Sequence, residues 1–133
     1  MRRSPATLYV MLSGICSVLS GPALSQQVAV PSGLNVALFD VILEQDPPVA
    51  RFRFEAPSIG GDTRLSFVQV VADMQFLCEE VILPGLADNG WTQGDVVISL
   101  SEQQTQFGVA NPDIVQYFQP FRIHVDSCVW EDF

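Results

Sequence analysis

A chain of 133 residues, 48% of them hydrophobic, has room for one core and not for two. Its 15 Asp and Glu against 6 Lys and Arg leave a net charge of −9, which excludes the basic face that nucleic-acid binding needs. Every basic residue is Arg and there is one His, so lysine Schiff-base chemistry and a multi-histidine metal site within one chain are excluded too.

Residues 1–25 have the layout of a secretory signal peptide. Met1-Arg2-Arg3 is a positive start, residues 8–19 form an apolar run, and Pro22 breaks it. Ala23 and Ser25 then place small residues at the −3 and −1 positions of a cleavage site. The run is shorter than the roughly 20 apolar residues of a transmembrane helix. The expectation is export to the periplasm or beyond, no membrane insertion after cleavage, and one domain over residues 26–133. Cleavage would leave 108 residues in which four Arg face all 15 carboxylates, a net charge of −11. It would also remove Cys16 and leave Cys78 and Cys128. An even pair in an oxidising compartment reads as one disulfide.

Residues 26–32 read as a short leader. Residues 34–43 are apolar and β-prone, and Gln45-Asp46-Pro47-Pro48 is a turn. Residues 49–56 then alternate, with Ala50, Phe52, Phe54 and Ala56 on one face and Arg51, Arg53 and Glu55 on the other. The two runs predict a β-hairpin. From residue 65 to 83 the period becomes helical. Phe67, Val70, Val71, Met74, Leu77, Cys78, Val81 and Ile82 form the stripe of a helix lying on a sheet. Ser66 or Thr63 can cap its start, Pro84-Gly85 ends or kinks it, and Asn89-Gly90 is a second stop.

Residues 96–101 predict another strand, and 107–109 a short one. Asn111-Pro112 opens what reads as a short second helix to Phe118. Residues 121–125 and 128–131 predict the last two strands. The sum is an α+β domain: one long amphipathic helix on a mostly antiparallel sheet of about five strands, one short second helix and one disulfide. In this arrangement the bridge pins the helix to the last strand, with Trp130 beside it.

Several segments resemble a family of small exported alphaproteobacterial proteins, a domain of unknown function. They are Ala72-Asp73-Met74-Gln75-Phe76-Leu77-Cys78-Glu79, Val97-Ile98-Ser99-Leu100-Ser101, Phe107-Gly108-Val109 and the ending Cys128-Val129-Trp130-Glu131-Asp132-Phe133. The resemblance implies export and the cysteine pair but no activity. Some members of that family carry the label acetolactate synthase, which the residues here disfavour. A thiamine-diphosphate enzyme needs several domains and a Gly-Asp-Gly motif, whereas Gly61-Asp62 is followed by Thr63 and Gly94-Asp95 by Val96.

The chemistry-bearing residues have plain structural readings. His124 shares a strand face with Arg122 and Asp126, but no free Cys or nucleophile-elbow Ser accompanies it, so it reads as a solvated strand residue. Asp88, Asn89 and Asp95 lack calcium-loop spacing. Glu79 and Glu80 read as a solvated helix flank. Arg51 and Arg53 suit an anion, or pairing with neighbouring carboxylates. On a regular helical wheel Phe76 falls nearly opposite Met74, with Ala72 and Leu83 close by, an apolar stripe that fits an interaction surface or a face covered by another part of the chain, such as residues 107–121. No cofactor, no metal and no catalytic residue is expected. The expected function is a non-catalytic binding or interaction domain for a protein or envelope partner, as monomer or homodimer. The alternative is a small periplasmic hydrolase or ligand binder using Asp, Glu and Ser.

Overall fold

The computed structural model describes residues 26–132, and the predicted signal segment, residues 1–25, lies outside them. Six strands form one sheet in chain order: β1 (Gln26–Val28), β2 (Val36–Glu44), β3 (Val49–Glu55), β4 (Asp95–Ser101), β5 (Gln116–His124) and β6 (Ser127–Trp130). Neighbours are antiparallel except β3 and β4, which run parallel. A parallel pair needs a crossover, and the helical segment between these two strands supplies it. The predicted hairpin is β2–β3, with Ala37 opposite Glu55 and Glu44 opposite Val49.

The helix begins where Ser66 caps it. The Ser66 hydroxyl accepts from the Gln69 amide, and the Gln69 side chain accepts from the Ser66 amide, a reciprocal capping box. From there α1 (Phe67–Phe76), a π-helical turn (Leu77–Ile82) and α2 (Leu83–Asp88) run on as one helix of 22 residues. Pro84 does not end it. Proline lacks an N–H and its ring crowds the carbonyl four residues back. The turn before it is widened, and the Leu83 amide donates to the Cys78 carbonyl five residues earlier. The helix stops at Asn89, where the amide of Asn89 donates to Leu86 and that of Gly90 to Ala87. Gly90 follows at φ 76°, the left-handed conformation glycine adopts most cheaply.

The helix buries Val70, Met74, Leu77, Cys78, Ile82, Leu83 and Leu86 against one sheet face. That face presents Ala50 and Phe54 of β3, Val96, Ile98 and Leu100 of β4, and Phe121 and Ile123 of β5. Cys78 and Cys128 are bonded, with Cα atoms 6.2 Å apart, so the bridge ties the π-helical turn to β6 as expected. Glu79 does not face solvent alone. Its carboxylate accepts from the Cys128 amide at 3.0 Å, while the Gln75 side chain donates to the Cys128 carbonyl at 2.8 Å. The last strand of the sheet thus has its outer backbone groups capped at this residue. Trp130 stacks edge-to-face on Phe67 and Phe121, with centroids 6.0 and 6.3 Å away.

Three expectations are corrected. The sheet has six strands, not five, because the leader pairs with β2 through Gln26–Leu38 and Val28–Val36. Three residues with two Gln carry no periodicity, and backbone pairing alone defines this strand. The short second helix is a turn. The Asp113 amide donates to Asn111 Oδ1 and the Ile114 amide to the Asn111 carbonyl, both at 3.1 Å. The chain then extends into β5, since β-branched and aromatic residues gain more from pairing with β4 than from a helix. Residues 107 and 108 also form a turn, not a strand.

Candidate functional site

The helix covers one face of the sheet, and the other face holds the site. Alternation along the strands sets three cross-strand rows there: Arg51–Val97–Pro120, Arg53–Ser99–Phe118 and Glu55–Ser101–Gln116. In place of a helix, the 102–115 connection from β4 to β5 folds over this face. A connection this long without regular structure is uncommon in a small domain unless it has work to do.

Two devices hold it. At its base, the Glu102 amide donates to the Val115 carbonyl at 2.9 Å and the Glu102 carboxylate accepts from the Val115 amide at 2.8 Å. The same carboxylate lies where a Cβ on residue 60 would stand, so a side chain there would push Glu102 from its hold on Val115. Farther out, the buried Arg53 guanidinium donates to Asp40 and to both the carbonyl and hydroxyl of Thr105, each at 2.9 Å. Phe107 lies against two cations, 5.7 Å from the Arg51 guanidinium and 5.5 Å from that of Arg53.

Between loop and sheet is a cavity of about 680 Å³, within the range of small-molecule sites. Val97 and Ser99 form its floor. Arg51, Arg53 and Phe107 stand on one side, Ile114 and Phe118 on another. Its mouth is apolar: Phe107 is 48% exposed, Val109 54% and Phe118 46%. No Asp or Glu lines it, in a chain with 15 of them. Outside the lining, Asp40 pairs with Arg53 at 2.9 Å and Glu44 with Arg51 at 3.2 Å. The Arg51–Glu44 pair is half exposed and weak, whereas Arg53 is buried and held by three hydrogen bonds.

The Ser99 hydroxyl stands apart. Its residue is 3% exposed, and the oxygen has no hydrogen-bond partner among the described residues. A buried hydroxyl without a partner costs about 1–3 kcal/mol. The other such atom is Trp91 Nε1, which does not line the cavity.

The residues singled out from sequence fall elsewhere. His124 is exposed at the β5–β6 hairpin, and Asp126 sits in the turn rather than beside it on the strand. Arg122 pairs with Asp95 and Glu131. Asp73 is buried on α1, where its carboxylate accepts from the amide and hydroxyl of Ser32 and ties the β1–β2 connection to the helix. Among the described residues, no group of three His, Cys, Asp or Glu is placed to hold a metal ion.

The expected interaction stripe of Phe76, Ala72 and Leu83 is not gathered into one exposed patch. Leu83 is core at 8% exposure, Phe76 packs half-buried against that core, and Ala72 is exposed. For Leu83, the one member that follows the π-helical turn, that turn is the cause. Within it each residue advances by less than the 100° of an α-helix, so residues beyond it rotate toward the sheet. A regular wheel cannot show that rotation. The cavity itself went unseen in the sequence because residues 111–118 read as a helix. The missed signal was parity. Phe118 and Phe121 are an odd number of residues apart, so a strand through both puts them on opposite faces.

The chain belongs to the family of unknown function DUF6497, whose model matches residues 15–133. No curated protein and no solved structure matches it.

Proposed function

We propose that this is an exported binding domain whose site is the cavity between the 102–115 loop and the open sheet face. The observation that carries the reading is the cavity itself: a chamber of about 680 Å³ with a mostly apolar wall, roofed by a loop that Arg53 anchors. Such a site captures an apolar ligand or group rather than transforming one. The hydrolase alternative finds less support. Asp40 and Glu44 are neutralised by arginines, and Asp73 serves Ser32.

A fluorescence titration with the neutral dye Nile red tests the site. The protein should shift the dye's emission to the blue, and Val97→Trp, which fills the floor, should abolish the shift with the circular dichroism unchanged. Emission unaltered by tens of micromolar protein would count against the reading. Export is supported by the layout of residues 1–25, and among the described residues no helix is long and apolar enough to cross a membrane. Mass spectrometry of the exported material should find an N-terminus near Gln26; an intact Met1 would sink it.

A further inference from the structure

We infer that the cavity takes a small amphipathic monocarboxylate, its apolar body between Phe107 and Phe118 and its carboxylate accepting the Ser99 hydroxyl under the charge of Arg51 and Arg53. This rests on the binding reading above and specifies the ligand class. Three observations lead to it.

The first is the Ser99 hydroxyl, an unpaired donor among the described residues at the floor of the chamber. Ala would fit the same backbone position without leaving a polar group unpaired, so the hydroxyl is accounted for by a ligand acceptor. The second is charge. Both titratable residues lining the cavity are arginines, and the carboxylates of this acidic chain stay outside the lining. A ligand anion meets two positive groups in the lining. The third is the state of the two arginines. Arg53 is held by three hydrogen bonds to Asp40 and Thr105 and acts as a fixed charge. Arg51 holds one carboxylate oxygen of Glu44 through a half-exposed pair, at 3.2 and 3.3 Å, which a ligand carboxylate can replace at little cost. A cation is refused for the same reasons. A neutral ligand would pair with Ser99 but leave the arginine field unused.

Calorimetry of the protein as isolated from expressing cells, with octanoate and octan-1-ol as a matched pair, tests this. Octanoate should bind on the order of tenfold more tightly than the alcohol, as a charge-assisted hydrogen bond exceeds a neutral one. Arg51→Gln should weaken octanoate roughly threefold or more, Arg53 keeping part of the preference, and leave the alcohol unchanged. Ser99→Ala should weaken octanoate roughly three- to tenfold while melting no lower than the parent, because it removes an unpaired buried group. Equal binding of acid and alcohol, or an acid preference undiminished in Arg51→Gln, overturns the carboxylate. Undiminished octanoate binding by Ser99→Ala overturns the anchor. If Nile red binds but neither octyl compound does, the ligand class falls and the cavity reading stands. If none of the three binds, both fall.

Discussion

Val125 shows how far a single residue can be held against its own preference. It is the first of two residues turning β5 into β6, its φ is 61°, and it is 84% exposed. A β-branched side chain in the left-handed region crowds its own backbone, and here burial offers no compensation. Glycine adopts that conformation freely. Val125→Gly should therefore raise stability by about 1 kcal/mol, read as an increase in the midpoint of urea unfolding. A lower midpoint would mean that Val125 makes packing contacts its exposure conceals. Ser99 is the opposite case, a residue at ease in its strand whose hydroxyl lacks a partner. Strain at the hairpin tip belongs to the turn, while the unpaired group lies in the cavity.

At the scale of elements, the 102–115 loop and strand β3 act as one unit through Arg53. The guanidinium spans from Asp40 on β2 to Thr105 in the loop, beneath Phe107. Replacing it leaves a half-exposed carboxylate and frees the loop, a loss of about 2 kcal/mol. Arg53→Gln should thus cost that much in stability and also speed chymotrypsin cleavage after Phe107. Equal cleavage of both proteins would show that the Glu102–Val115 closure alone holds the loop. The helix teaches a second lesson at this scale. Its π-helical turn lets it pass Pro84 and rotates Leu83 and Leu86 into the core. The feature that looked like a helix stop is instead what places the second half of the helix on the sheet.

The whole molecule has a small core and one covalent tie. Cys78 and Cys128 are separated by 50 positions, and closing a loop of that size stabilises by about 4 kcal/mol in the chain-entropy model. For a domain of this length the change corresponds to a melting shift on the order of 20 °C. Cys78→Ser should melt lower by that order in calorimetry, and reduction should lower the parent similarly. A shift of only a few degrees would show that Gln75 and Glu79, which grip the Cys128 backbone, hold β6 unaided. The same junction explains why one sheet face is closed and the other open. Helix, bridge and β6 seal the inner face, while only a loop covers the outer one.

Sequence alone determined the parts governed by local periodicity and composition. The β2–β3 alternation, the helical stripe from Phe67 to Ile82, the Ser66 cap and the cysteine pair were legible because each is written in spacing or residue type. Only the tertiary structure decided the rest. The leader became β1 because β2 offered it a partner, and residues 116–118 became strand because β4 did. The cavity arises where Arg53, Ser99 and Phe118, from three strands, come into one row beneath a loop. Nothing local joins those residues. Their meeting is set by sheet register, which depends on every strand pairing at once.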